Sequence, residues 1–164
     1  MMRIILADES HLKAIIKVID LAKQIMIANG NKTQWINGYP SEEIILQDIK
    51  QNHAYVIMNN EVIEGYFCFL RGENPEPTYS SIEDGKWLNK DSYGVIHRLA
   101  SSGRIKGIAA ACFDFCFSQI NNIKVDTHEN NIPMQNYFNK IGFEYCGIIY
   151  VNDGSPRKAF QKVL

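Results

Sequence analysis

The residues best equipped for chemistry lie together in Ile96-His97-Arg98-Leu99-Ala100-Ser101-Ser102-Gly103-Arg104-Ile105-Lys106-Gly107-Ile108-Ala109. The first four end an apolar, β-prone run. Small and flexible residues follow from Ala100 to Gly103, then the cations Arg104 and Lys106. Gly107 then opens a helix that runs on through Ala110-Ala111-Cys112-Phe113. A glycine loop feeding a helix start leaves several unpaired backbone N–H groups converging on one point, at the positive end of the helix dipole. Such a site holds an anion, a phosphate above all. Arg104 and Lys106 add full charges beside it, and an Arg–phosphate contact is typically worth ~1.5–3 kcal/mol. On the strand that leads in, Tyr93, Val95, His97 and Leu99 share one face if no bulge intervenes. An imidazole there titrates near neutrality, where a proton can be taken or given.

The elements that must position this stretch follow from periodicity and punctuation. Arg3–Ala7 reads as a strand, after which Asp8 or Ser10 caps a helix patterned by Leu12, Ile15, Ile16, Ile19, Ala22 and Met26 and stopped at Gly30. A loop from Asn31 to Pro40 carries Trp35 and Tyr39. Ser41, with Glu42 and Glu43 behind it, starts a second helix whose apolar side uses Ile45, Leu46 and Ile49. Ala54–Met58 and Val62–Leu70 read as a hairpin turning at Asn59-Asn60. The break from Arg71 to Ser92 holds Gly72, Pro75, Pro77 and Gly85 and exceeds ordinary loop length, which marks a functional segment or a flap. Tyr93–Leu99 is the strand before the glycine loop.

Gly107 to about Ile120 reads as a helix. Phe113-Asp114-Phe115-Cys116-Phe117 alternates like a strand, but the Ala109–Ala111 run and the uninterrupted length favour the helix. Ile123–Thr127 is a strand. Asn130 or Asn131 caps another helix, with Pro133 near its start, and Met134, Tyr137, Phe138 and Ile141 form its apolar face before Gly142. Tyr145–Tyr150 and Arg157–Lys162 close the chain around an Asn152-Asp153-Gly154 turn.

Composition narrows the class of molecule. A chain of 164 residues, 46% hydrophobic and 21% charged, suits one globular domain over residues 1–164 with its own core. The net charge of −1 and the lack of any basic block argue against a nucleic-acid partner. No apolar run approaches the ~18 residues of a membrane span. The opening Met-Met-Arg-Ile-Ile-Leu is too short and too soon polar for a signal peptide, so a cytoplasmic location is expected. Cys68, Cys112, Cys116 and Cys146 sit in apolar segments without metal-binding spacing, and the four histidines are scattered. Buried thiols and no metal are expected. Neither Gly-x-Gly-x-x-Gly nor a Walker pattern occurs, which argues against other nucleotide-binding folds.

Two local patterns carry a resemblance. Arg104-x-x-Gly107-x-Ala109 resembles the pyrophosphate loop, Arg/Gln-x-x-Gly-x-Gly/Ala, of the GCN5-related N-acetyltransferases, the GNAT family. Asn131-x-x-Met134-x-x-Tyr137-Phe138-x-Lys140-x-Gly142-Phe143 resembles that family's Asn-x-x-Ala-x-x-Leu-Tyr-x-Lys-x-Gly-Phe segment. The element order is also similar across nearly the whole chain. The resemblance implies an α/β fold: a mixed, mostly antiparallel sheet of about seven strands, splayed after the fourth, with about four helices. It implies an acetyl-CoA-dependent N-acetyltransferase, with direct attack of an amine through a tetrahedral intermediate. It places backbone groups of Leu99 and Ala100 on pantetheine and a backbone N–H near Leu99 on the oxyanion. Arg104, Ile105, Lys106, Gly107, Ile108 and Ala109 would hold the pyrophosphate, and Asn131 would lie near the pantetheine or the thioester.

The acceptor side of the site is less fully specified. An amine resembling lysine, with pKa ~10, must lose a proton before it attacks. By the same resemblance the base comes from the strand before the loop, which makes His97 the candidate base and Tyr93 a candidate relay. His128 and Glu129 are weaker alternatives, and each histidine also has a purely structural reading. The family's acid is a tyrosine where this chain has Phe138. Tyr137 is adjacent but rotated by roughly 100°, so neither is expected to be an indispensable acid. A thiol of pKa about 8.5 leaves tolerably without one. The acceptor pocket is expected from the loop after the first helix and from the Arg71–Ser92 segment, with Trp35, Tyr39, Tyr79 and Trp87 as lining candidates. Glu73, Glu76, Glu83 and Asp84 make that segment acidic, which suits a cationic amine or simply a solvated loop. The missing tyrosine keeps open a second class, a catalytically silent acyl-CoA-binding module. The partners expected are acetyl-CoA and an amine acceptor, with no membrane and with homodimerisation open.

Overall fold

A computed structural model describes residues 1–164. All strands join one seven-stranded sheet: β1 (Met2–Leu6), β2 (Ala54–Asn59), β3 (Val62–Gly72), β4 (Tyr93–Ser101), β5 (Asn122–Thr127), β6 (Glu144–Tyr150) and β7 (Pro156–Val163), in the order β1-β2-β3-β4-β5-β7-β6. Neighbours are antiparallel except β4 and β5, which run parallel. Those two pair only at Gly94↔Ile123 and Val95↔Lys124, and beyond these residues they part. The mixed sheet, the splay after the fourth strand and the four α-helices are as expected.

Helices cover both faces. α1 (Leu12–Ala28) and α2 (Glu42–Lys50) pack Ile15, Val18, Ile19, Ile45 and Ile49 on one face of β2 and β3. On the other face α3 (Ile108–Gln119) and α4 (Ile132–Lys140) bury Phe113, Cys116 and Phe138 against Phe67, Phe69 and Phe160. The alternating Phe113–Phe117 segment is therefore helix, because Phe113, Cys116 and Phe117, at three- and four-residue spacing, meet that second core. Asp8 caps a short 3-10 turn at Glu9–His11 that leads into α1, and Ser41 Oγ accepts the Ile44 amide at the start of α2. The hairpin turns on Asn60-Glu61, both at positive φ (49° and 66°), one residue later than Asn59-Asn60. A two-residue turn with both residues at positive φ matches the right-handed twist of its strands. All four cysteines are free and buried.

The long segment between β3 and β4 is packed rather than loose. It lies on the α1 face over the far half of the sheet, where Tyr79 is fully buried with Tyr93, Val95, Ile149 and Ala159. Glu83 and Ile148 exchange both backbone hydrogen bonds, at 2.9 and 2.8 Å. This docking requires glycine at Gly147, where φ is 143° and a Cβ would stand 2.3 Å from the Glu83 carbonyl oxygen. Gln161 Oε1 accepts the Leu88 amide, and its Nε2 donates to Asn89 and Asn122.

Candidate active site

The site forms where β4 bulges beside the splay. Cys68 pairs with His97 and Tyr66 with Ala100, so Arg98 and Leu99 together stand opposite Phe67. Arg98 has φ 54°, left-handed for a residue with a side chain. The extra residue overturns the expectation that His97 and Leu99 share a face. A bulge places two residues against one and reverses the alternation beyond it. His97 and Arg98 both turn to the α1 and flap face, and Leu99 packs into the α3 core.

His97 meets the flap. Its Nε2 lies 3.2 Å from Glu76 Oε1, with both side chains about one-fifth exposed (21% and 22%). Burial alone would raise the Glu76 carboxyl. The hydrogen bond and charge of His97 outweigh it and hold Glu76 below the usual carboxylate range. The Tyr79 ring stands edge-on to the imidazole at 6.3 Å, and its hydroxyl donates to Asp126 on β5. Burial, then the charge of Asp126, pushes the Tyr79 hydroxyl far up, so it remains a donor.

Arg98 meets α2. Asp48 accepts from Arg98 Nε at 2.9 Å, from its Nη2, and from the Tyr66 hydroxyl at 2.6 Å, while Arg98 Nη1 donates to the Tyr39 hydroxyl at 3.1 Å. Burial pushes the neighbouring Cys68 thiol up to about 12 although Arg98 opposes it, which leaves this thiol protonated and unreactive.

The glycine loop supplies donors on the other side of the strand. Gly107 is the N-cap of α3 at φ 91°, and the first helical bond runs from the Ala111 amide to the Gly107 carbonyl. The amides of Gly107, Ile108, Ala109 and Ala110 therefore have no helical acceptor. Earlier in the loop, Ser101 Oγ and Ser102 Oγ accept the amides of Gly103 and Arg104. Arg104 is not a free cation: its Nε donates at 3.0 Å to Glu64, which is buried and also bound by Ser102 Oγ. Its first role is to tie the loop to β3. Lys106 is exposed and makes no hydrogen bond or ion pair, so it is the unengaged cation of the loop.

A cavity of about 960 Å³ connects the two sides. Leu99, Ala109, Asn131, Met134 and Tyr137 line it towards α3 and α4, and Trp35, Tyr39, Glu76, His97, Arg98 and Asp126 line it towards α2 and the flap. Of the expected cofactor residues only Leu99, Ala109 and Asn131 line it; Ala100, Arg104, Ile105, Lys106, Gly107 and Ile108 do not, nor do Tyr79, Tyr93 and Trp87. Tyr93 is buried beneath the flap with its hydroxyl donated to Asn74 and the Glu76 carbonyl, away from His97. Trp87 stacks on Tyr79, donates its indole N–H to the Tyr79 carbonyl and covers Lys124. Ala100 is buried against the α1 core, and Ile105 packs on the α3 side. Asn131 caps α4 by accepting the Met134 amide and donates to Gln34. Gln34 Oε1 also takes Asn31, Thr127 and the His128 amide, which ties the α1–α2 loop to β5 and α4. His128 is spent on Thr33 and the Asn130 amide. Phe138 is buried between Phe113, Phe143 and Phe160, while Tyr137 packs on Phe113 at the cavity edge.

Sequence reasoning missed Asp48, Arg98, Gln34 and the meeting of Glu76 with His97. Asp48 left one legible trace, a charge on the same helical face as Ile45 and Ile49.

A mixed sheet that opens between its fourth and fifth strands, with a helix start aimed at the opening, defines a class of acyl-transfer fold. No protein-family model and no curated protein matches the sequence. Among solved structures, the GNAT-family acetyltransferase of Streptococcus agalactiae is 31% identical, covering 99% of this chain and 95% of that one, with a TM-score of 0.87. A GNAT-family acetyltransferase of Listeria monocytogenes is 19% identical over 99% and 95% of the two chains, with a TM-score of 0.72. The PaiA N-acetyltransferase of Thermoplasma acidophilum, solved in complex with coenzyme A, shares the fold at 12% identity over 100% and 99%, with a TM-score of 0.67. The chain belongs to the GNAT family of acetyltransferases.

Proposed function

We propose that this protein moves an acetyl group from acetyl-CoA to the amine of a small molecule or peptide, by direct attack through a tetrahedral intermediate, with residues 1–164 acting as one cytoplasmic domain. The observation that carries the reading is the cavity itself. It reaches from Ala109 in the first turn of α3, past Leu99 and Val125 at the splay, to the Glu76–His97 pair. The fit to the cosubstrate rests on four unsatisfied amides at Gly107–Ala110 and on an opening between β4 and β5 with no ladder to break. The bound thioester supplies the activated acetyl carbon.

The chain's own groups then divide the work. The amides of α3 and Lys106 hold the pyrophosphate, and Leu99 and Asn131 flank the pantetheine arm. Trp35 and Tyr39 hold the acceptor. His97 takes the amine proton, and the Glu76 carboxylate orients the imidazole and stabilises the charge it gains. No acid is assigned: Phe138 has no proton to give, and the thiol leaves unaided at neutral pH.

The test is a pool of amines incubated with acetyl-CoA, read by thiol release and by a mass gain of one acetyl group. Acetyl-CoA-dependent gain on at least one amine is expected. Binding of coenzyme A with no transfer to any amine would leave a silent acyl-CoA-binding module instead.

A further inference from the structure

A buried arginine on the far side of the cavity makes no ion pair, and the carboxylate that feels its charge, Asp153 on the β6–β7 turn, is exposed and held by Ser155 first. Arg157, on β7, is 8% exposed, yet its one hydrogen bond runs from Nη1 to the carbonyl of its neighbour Pro156 at 3.1 Å. Arg98 and Arg104, by contrast, each hold a buried carboxylate. An arginine carries five N–H donors, and Arg157 lines the cavity that contains His97. Burying a guanidinium without a partner is costly.

Register locates Arg157 relative to the chemistry. From the Val95↔Lys124 pair, two residues further along each strand reach His97 and Asp126, one on either side of the splay and both on the flap face. Asp126 pairs with Ala159 on β7, and Arg157 lies two residues from Ala159 on that same face. The Glu76–His97 pair, Asp126 and Arg157 thus share one face across β4, β5 and β7, more than two strand spacings because the splay widens the first, with Arg157 a further ~7 Å along β7. Asp126 receives the Tyr79 hydroxyl and makes no ion pair with Arg157, so the two charges face the cavity separately. The charge of Arg157 is felt nearby: burial first, and then Arg157, pushes the His128 imidazole below its ordinary value.

We propose that the acceptor carries a carboxylate or phosphate close to its reacting amine, and that Arg157 receives this anion while Asp126 and His97 face the amine. The proposal rests on the amine-acetylation reading above. A planar fork of donors suits either anion bidentately, and the shared cavity lets one small molecule present its anion to Arg157 and its amine to Asp126 and His97.

The test compares three sets of amines with the whole protein and acetyl-CoA: free α-amino acids, aminoalkyl phosphates, and diamines or polyamines without an anion. The anionic amines are expected to show kcat/KM at least ~10-fold above the anion-free set, and whichever anionic set leads names the source. Arg157→Gln should raise KM for that set ~10- to 100-fold, the range of a lost charge-assisted contact, with a smaller change in kcat, and Arg157→Lys should recover part of it. Anion-free amines should be indifferent to both substitutions. Equal turnover of anion-free amines, or an unchanged KM in Arg157→Gln, overturns the proposal while leaving amine acetylation standing. Failure of every amine set in a protein that binds coenzyme A overturns both. Should Arg157→Gln not fold, the KM of Arg157→Lys for anionic against anion-free amines decides.

Discussion

Asp48→Asn is the sharpest test of how the site is built. The substitution keeps the shape of the side chain and removes its charge. It leaves the Arg98 guanidinium, 15% exposed in its side chain, without a counter-ion. Breaking a buried pair by removing one partner costs about 3–5 kcal/mol. The edge of Arg98 that faces the cavity keeps some water, so the lower end, ~3 kcal/mol, is expected. In a chain of this size each kcal/mol lowers the melting temperature by roughly 2–4 °C, giving a drop of about 6–12 °C. The assay is urea denaturation of Asp48→Asn, Arg98→Met and the double variant, with unchanged m-values required for the comparison. The double variant should lose less than the sum of the singles by ~2 kcal/mol, because neither partner is then left charged and buried. Turnover should fall in both single variants, since a relaxed bulge no longer aims His97. A loss under ~1 kcal/mol in Asp48→Asn, or additivity within ~0.5 kcal/mol, would refute the pair as the clamp on the bulge.

His97→Gln should keep coenzyme A affinity and lower turnover; an unaltered rate would return His97 to a structural role. The Glu76 carboxyl is lower in the fold than in the unfolded chain. Its contribution to stability is therefore complete above the ordinary carboxylate range and is lost as pH falls through the folded value. Glu76→Gln should flatten that part of the acid limb of a stability-against-pH curve. Gly147→Ala drives a Cβ into the Glu83 carbonyl; it should lower stability by about 2 kcal/mol or more and raise the acceptor KM while coenzyme A binding, measured by calorimetry, is spared. Lys106→Ala should weaken coenzyme A several-fold and leave pantetheine untouched. Arg104→Gln should instead appear mainly as lost stability, because buried Glu64 then loses its counter-ion and keeps only the Ser102 hydroxyl.

The periodic parts of this molecule were legible because burial imposes a period. Ile15 and Ile19 on α1, Met134 and Phe138 on α4, and the β-prone runs each repeat at the spacing of their element. Ser41, Asn131 and Gly107 mark helix starts by chemistry that is local in sequence. The glycine loop was legible for the same reason. What escaped depends on contacts distant in sequence. Nothing near Arg98 announces a bulge, since the residue that stabilises it, Asp48, is fifty positions away. Trp87 resembled a pocket residue by type, but Lys124 and Tyr79 claim its faces. Gly85 and Gly147 resembled turn punctuation, and they are where the flap and β6 touch backbone to backbone. Arg104 had the right type and place for a phosphate, and only its partner Glu64 assigns it first to the fold.

The bulge and the ion pair make sense only together. Without the extra residue, alternation would turn Arg98 into the α3 core, among Phe69, Ile96 and Phe113, where no carboxylate waits. With it, Arg98 finds Asp48, His97 finds Glu76, and Leu99 fills the apolar place that Arg98 vacated. A left-handed φ in a residue with a side chain costs of order 1–3 kcal/mol and persists only where its surroundings enforce it. Asp48, Tyr39 and Tyr66 provide that enforcement from α2, the α1–α2 loop and β3. One consequence is chemical. Leu99, beside the glycine loop, and His97, the proposed base, leave β4 on opposite faces, so under the proposed function donor and acceptor would approach the splay from opposite sides of the sheet. A parallel pair closed over its full length would keep them apart. Parting after Val95↔Lys124 lets them meet.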